Sequence, residues 1–216
     1  MADLTTSKFN INSFKTEINR TGAMRTTYFH VAINPPAYLK SKYSNVDRVN
    51  LRCEATMLPG MSLADGYNGP RYGYGPKEFI PYNVDYNVIN FTFLLDNGPY
   101  LHTFFMDWMS CIVNYRNPGK GGSPLSGSIV GGVNNFNAYE VGYKANYSTT
   151  ISVYVYNEKG NQINQVDLYQ AFPISVESIP LAWADNDQVA RLVVPMTFKE
   201  FLYQGASSTG KQDISS

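Results

Sequence analysis

Hydrophobic and polar positions alternate with a period of two over several short stretches of this chain, and at one place the pattern switches to the period of a helix. Tyr28–Ile33 (YFHVAI) reads as a first strand, stopped by Pro35-Pro36 because proline cannot donate to a sheet ladder. Val49–Met57 sets Val49, Leu51, Cys53 and Ala55 against Asn50, Arg52 and Glu54, which predicts a half-buried strand. Within Asp85–Leu95, Ile89, Phe91 and Phe93 alternate with Val88, Asn90 and Thr92, the pattern of a core strand. Tyr147–Tyr156 is rich in β-branched and aromatic residues, and Glu158-Lys159-Gly160-Asn161 turns it into a further strand over Gln162–Tyr169. The run from Ala171 to Tyr203 predicts a β-hairpin, with a short strand around Trp183, a turn at Asp185-Asn186-Asp187 and a second alternating strand. The helical period falls on Leu101, Phe104, Phe105, Trp108, Met109 and Ile112, an amphipathic helix over about residues 99–113 with Asn97 as N-cap and Pro99 in its first turn.

What lies between these elements sets the organisation. Residues 1–25 are polar, with Phe9, Ile11 and Phe14 alternating weakly, and read as an N-terminal arm that orders when docked on a neighbour. Pro59-Gly60 opens a stretch dense in Gly, Pro and Tyr, residues 60–82, which reads as a long functional loop. Residues 114–137 form a Gly-, Ser- and Asn-rich insertion expected to be exposed and mobile, and 205–216 read as a disordered tail. One domain, 26–204, carries both insertions. The expected class is mainly β: an antiparallel β-sandwich or open barrel with one flanking α-helix and long loops.

Composition narrows the function. Only 16% of the residues are charged, against about 25% in an average domain. Seventeen Tyr and twelve Phe accompany that scarcity. A surface poor in charge and rich in aromatics suits a protein covered by copies of itself or by partners, and equally a Tyr-rich β-protein. Seventeen acidic and seventeen basic side chains cancel, so no basic excess exists to clamp phosphates. Cys53 and Cys111 stand far apart without metal-ligand neighbours and read as small buried hydrophobes. The N-terminus lacks the apolar core of a signal peptide, and no apolar run is long enough to cross a bilayer, so a product of a reducing cytoplasm with no membrane partner is expected.

No chemistry emerges from the motifs. Gly205–Lys211 spells GxxxxGK, but Gln212 follows where Ser or Thr must reach Mg²⁺. His30 and His102 have no metal ligands at useful spacing, and no GxSxG elbow is present. Asp185 and Asp187 cannot open an EF-hand, because Ala190 and Met196 occupy the positions that need Gly and Glu. Catalytic, cofactor-binding and metal-binding residues are therefore expected to be none. The cluster Tyr67, Tyr72, Tyr74, Tyr82 and Tyr86 could stack sugars or bases; without flanking Lys or Arg in numbers, protein contact is the better reading.

Four pieces, in order, resemble the tail tube protein family of contractile-tailed, T-even-like bacteriophages. They are Leu51–Gly60 (LRCEATMLPG), Ile89–Asn97 (INFTFLLDN), Phe105–Ser110 (FMDWMS) and the segment Leu168–Tyr203. The resemblance implies a structural, non-enzymatic subunit of a phage tail tube. Six copies would form a ring whose strands join into a barrel around a lumen, and stacked rings would make the conduit for DNA ejection inside a contractile sheath. Its partners would be itself, the sheath protein, baseplate and tail-terminator proteins, and a tape-measure protein and DNA held loosely in the lumen. The protein would be assembled in the host bacterial cytoplasm and reside in the virion tail. Within that frame Tyr67, Arg71, Tyr72, Tyr74, Lys77 and Tyr82 are expected at inter-subunit or ring-stacking contacts, and Phe105, Trp108, Phe172 and Trp183 as core anchors. The arm and the two insertions depart from shorter family members, which leaves open a tube-initiator or baseplate-adaptor ring of the same fold. An inner tube of a type VI secretion or tailocin-like system is a further homologous option. An aromatic-rich, carbohydrate-binding β-sandwich is the alternative from another class.

Overall fold

The computed structural model of the protein describes residues 11–22, 24–43, 46–68, 78–113, 141–182 and 189–205. In chain order the elements are α1 (Ile11–Thr21), β1 (Phe29–Ile33), α2 (Asp47–Asn50), β2 (Cys53–Ala55), β3 (Met61–Asn68), β4 (Glu78–Tyr86), β5 (Ile89–Leu94), α3 (Tyr100–Ile112), α4 (Lys144–Tyr147), β6 (Thr149–Tyr156), β7 (Gln162–Pro173), β8 (Arg191–Thr197) and β9 (Glu200–Gly205). The class is mainly β and antiparallel.

Strand β7 organises the molecule. Its first part pairs with β6 on one side and β9 on the other, and β6 pairs onward with β1. At its far end Phe172 and Pro173 pair instead with β8, which continues to β5 and β2. The crossing from one sheet half to the other falls at Gln170, whose φ of 52° lies in the left-handed region that side chains avoid. There the ladder to β6 also slips, with Thr149 opposite Ala171 and Ile151 opposite Leu168. A bulge with one left-handed residue bends a strand sharply, and here it folds the sheet over on itself.

The inner surfaces of the two halves make one core. Val31, Ile33, Ile151, Val153, Val166 and Leu168 come from one half, and Ile89, Phe91, Phe93, Leu192, Val194 and Met196 from the other. The alternation seen in the sequence is the alternation of burial: β6 and β8 bury every second residue. Helix α3 closes the core with Leu101, Phe104, Phe105 and Trp108, all buried. Phe105 packs on Phe93 and lies nearly parallel to Trp108, and the Trp108 Nε1–H donates to the Tyr147 carbonyl at 2.8 Å. Asp107 is buried on the same helix, accepting from Lys42 Nζ at 2.6 Å and from the Tyr43 hydroxyl at 2.7 Å. A charge so placed persists because both donors reach it.

Several sequence expectations are replaced by other structure. Val49–Met57 is not one strand: Asp47–Asn50 is a helical turn that buries Val49, and only Cys53–Ala55 is extended. Asn50 Oδ1 accepts the Ile33 N–H, tying that turn to β1. The helix begins at Tyr100 with Pro99 as N-cap and no side-chain cap, so Asn97 does not cap it. The stretch 60–82 is not a structureless loop; β3 and β4 form a two-stranded ribbon separate from the main sheet. Within 1–25, residues 11–21 form α1. The hairpin around Trp183 is not seen on the described side: Ile179–Ala182 are not extended strand, and β8 pairs with β5. Ile174 and Glu177 donate their N–H groups to Pro195 and Val193, so this segment runs along the other side of β8. Trp183, the Asp185–Asp187 turn, the 114–137 insertion and residues 206–216 lie outside the described residues. No helix among the described residues is long and apolar enough to cross a membrane.

Candidate assembly surface

The ribbon is the first feature that the core does not explain. Eight pairs join β3 to β4, from Met61 opposite Tyr86 to Asn68 opposite Glu78. At about 3.4 Å per residue such a ribbon is roughly 25 Å long. Pro81 cannot donate to the ladder, and the register slips beside it, between Ala64 and Asp65, leaving Tyr82 as the extra bulged residue. Tyr86 anchors the base, its ring 5.6 Å from Phe198 and 5.4 Å from Phe201. Met61 opposite it and, farther out, the pair Leu63 and Val84 share that face by register, and all three are exposed. An exposed run of apolar pairs on a two-stranded ribbon has no reason to persist in water unless something covers it.

The expected contact residues distribute unevenly. Tyr67 lies in β3 with its backbone opposite Phe79, and Tyr82 in β4 is 72% exposed. Arg71, Tyr72, Tyr74 and Lys77 fall outside the described residues. Of the expected anchors, Trp108 and Phe105 are fully buried, while Phe172 is half-buried, edge-on to Tyr147 at 5.2 Å and beneath Lys144 Nζ at 5.7 Å.

The second feature is a pair of open edges. Among the described residues of the half-sheet β1-β6-β7-β9, β1 pairs only with β6 and β9 only with β7. Neither carries the Lys or Pro that blunts an unpaired edge. Along these four strands there is no Lys or Arg at all. On the face turned away from the core, Asp167 is held by donors from three strands: Ser152 Oγ at 2.6 Å, Gln165 Nε2 at 3.0 and 3.1 Å, and Gln204 Nε2 at 2.8 Å. Sequence reasoning missed this face because single strands show which residues alternate, not which strands lie side by side.

The opposite half-sheet carries the charge pairs. Arg191 grips Glu54 with two hydrogen bonds, 2.6 and 3.1 Å, which hold the Glu54 carboxyl below its ordinary range. Arg48 and Arg52 both approach Asp96, at 3.2 and 3.7 Å. Burial pushes the Cys53 thiol up to about 12, which silences it as a nucleophile. Among the described residues no group of His, Cys, Asp or Glu could hold a metal ion.

No curated protein matches the chain by sequence. Among solved structures, a chain of the anti-feeding prophage baseplate superposes with a TM-score of 0.56 at 9% identity, covering 87% of this chain and 99% of that one. A chain of the sheath–tube complex of an extracellular contractile injection system gives 0.54 at 14% identity, covering 88% and 97%. A chain of the cap that terminates the anti-feeding prophage tube gives 0.56 at 12% identity, covering 95% and 100%. At such identities the likeness is one of fold. The family model described as phage tail tube protein matches residues 9–204, which takes in both half-sheets, α3 and the ribbon, and the chain belongs to the phage tail tube protein family.

Proposed function

We propose that six copies of this tail tube subunit close into a ring through the open edges β1 and β9, and that rings stack into the conduit through which DNA is ejected. The observation that carries the reading is strand parity. Four strands alternate in direction across β1-β6-β7-β9, so β9 of one copy meets β1 of the next antiparallel, and the sheet continues without a break in polarity. A ring joined this way loses its exposed edges. Six copies supply roughly 24 strands, more than the 16–18 that already leave an aqueous channel in a barrel. The face away from the core then lines the lumen. Lacking Lys and Arg, and with Asp167 tied down by three side chains, it suits DNA or a tape-measure protein that must slide rather than bind.

In this reading the ribbon reaches the adjoining subunit or ring, with Tyr67, Arg71, Tyr72, Tyr74, Lys77 and Tyr82 in the contact. The charged half-sheet faces outward to the sheath protein, and the tube ends meet baseplate and terminator proteins. The chain performs no catalysis, is made in the host cytoplasm and ends in the virion tail. A second reading, a single ring that starts or ends the tube, has its own support: the fold is shared with chains of a baseplate and of a tube-terminating cap. Electron microscopy of the purified chain over rising concentration, with mass measured in parallel, tests both. Hollow tubes support the repeated subunit, hexamers that never elongate support the single ring, and a persistent monomer in the presence of baseplate components refutes both.

A further inference from the structure

The ribbon β3-β4 shares no ladder with the main sheet and leaves it through Pro59-Gly60 on one leg and Asn87-Val88 on the other. Its angle to the body is therefore held by side chains at its root, and these lead to β9 and the turn before it. Tyr203, on β9, donates its hydroxyl hydrogen to the Pro59 carbonyl at 3.0 Å, which ties down the outgoing leg. On the returning leg the Tyr86 ring wedges between Phe198 and Phe201. Phe201 in turn stands edge-on to Tyr203, 5.2 Å away at 88°. The root is thus one chain of contacts, Tyr86 to Phe201 to Tyr203 to Pro59, running from β4 through β9 to the start of β3. Edge-to-face rings keep their geometry and a hydroxyl bond weakens steeply off its angle, so a shift of β9 shifts the ribbon.

Strand β9 is also an edge of the half-sheet. Among the described residues its ladder runs to β7 alone, from Asn164 opposite Gly205 to Tyr169 opposite Glu200. A strand held from one side near a chain end opens locally at low cost.

We infer that β9 positions the ribbon for ring stacking, with Tyr203 and Tyr86 as the positioning residues. Pairing of β9 with the next copy holds the strand from its second side, and the root then fixes the ribbon before another ring arrives. The inference rests on the ring reading and deepens it. Ring closure and stacking become cooperative, because the ordering that stacking needs is supplied when the ring closes. By linkage the coupling is reciprocal: a docked ribbon tightens the ring edge. Copies outside a ring present the exposed Leu63 and Val84 at no fixed angle, which keeps them from stacking out of order.

Three full-length variants test this against the parent. Tyr203→Phe removes the hydroxyl and keeps the ring, Tyr86→Ala removes the wedge, and Tyr86→Phe keeps the wedge as the conservative rescue. Mass measurement and electron microscopy over rising concentration, with baseplate components present, count rings and tubes separately. All three variants are expected to form rings at the parent's concentration. The concentration at which tubes appear should rise about tenfold for Tyr203→Phe, a decade of stacking affinity. Tubes should be absent for Tyr86→Ala and like the parent's for Tyr86→Phe. If Tyr86→Ala fails to fold, the Tyr203→Phe shift decides alone. Tubes from Tyr203→Phe at the parent's concentration overturn the positioning role and leave the tube reading standing. Rings lost together with tubes in that variant overturn it as well, since the hydroxyl then serves the body of the subunit. Parent rings that never elongate sink the stacking role and leave the ring; a parent that forms no rings sinks both.

Discussion

Removing the indole of Trp108 is the sharpest probe of how α3 is held. The side chain is fully buried, edge-on to Phe104 at 5.7 Å, and parallel to Phe105 within 7° at 6.3 Å. Trp108→Ala deletes those contacts and leaves a cavity, worth about 3–5 kcal/mol when the surroundings relax only in part. It also strands the Tyr147 carbonyl, which accepts from Nε1, and an unsatisfied buried acceptor costs about 1–3 kcal/mol. These costs overlap, because a cavity can admit water to the carbonyl, so the expected loss is about 3–5 kcal/mol. For an m-value of about 2.5 kcal/mol/M, the urea midpoint falls by about 1–2 M. Far-UV circular dichroism should follow the transition, at a concentration where mass shows the monomer, so that assembly does not enter the equilibrium. Trp108→Phe separates the terms: it keeps an aromatic ring against Phe105 and loses only the bond to Tyr147 and part of the volume, for about 1–3 kcal/mol. A Trp108→Ala midpoint within about 0.3 M of the parent would refute the packing argument, since no fully buried Trp that fills its site is removed so cheaply.

Other perturbations follow from the same geometry. Gln170→Gly relieves a left-handed side chain at the cost of a floppier unfolded chain, so a change between about 0 and +1 kcal/mol in stability is expected, whereas Gln170→Val should lose about 1–2 kcal/mol; thermal melts of both decide it. Leu63→Asp with Val84→Asp charges the exposed ribbon face, and should leave the monomer's melting within about 0.5 kcal/mol of the parent while abolishing stacked tubes in micrographs. Tubes of normal length from that variant would remove the ribbon from the contact. Glu54 ionises more easily folded than unfolded because Arg191 bonds its carboxylate, so its contribution to stability is present above the unfolded pKa and is lost as pH falls through the lowered folded value. Carbon-detected NMR titration should place its midpoint below that of an ordinary Glu, and Arg191→Gln should restore the ordinary midpoint; an unchanged titration in that variant would deny Arg191 the role.

How much of this was written in the sequence depends on whether the deciding interactions are local. Period-two alternation over Ile89–Leu94 and Thr149–Tyr156, and helical spacing over Tyr100–Ile112, are printed along the chain because burial selects every second or every third and fourth residue. The same logic misled where a few residues fit two periods. Val49, Leu51 and Cys53 alternate like a strand, yet Val49 is buried from a helical turn fixed by a side-chain bond from Asn50 to distant Ile33. The i, i+3, i+7 stripe of α1 was present but was masked by the alternation of Phe9, Ile11 and Phe14 in a polar context. The ribbon read as loop because Met61–Leu63 and Ile80–Tyr86 are exposed on both faces, so burial imprinted no periodicity on them. Order of pairing lay furthest from reach. The sequence determined that there would be alternating strands and one buried helix, together with the ordered motifs of a family. Only the tertiary structure decided that β8 pairs with β5, that β7 bends at Gln170 to serve both half-sheets, and that β1 and β9 have one strand partner each among the described residues, with a charge-poor face between them. Strand partners are chosen by hydrogen bonds between residues far apart in the chain, and alternation within one strand is the same whichever neighbour it finds.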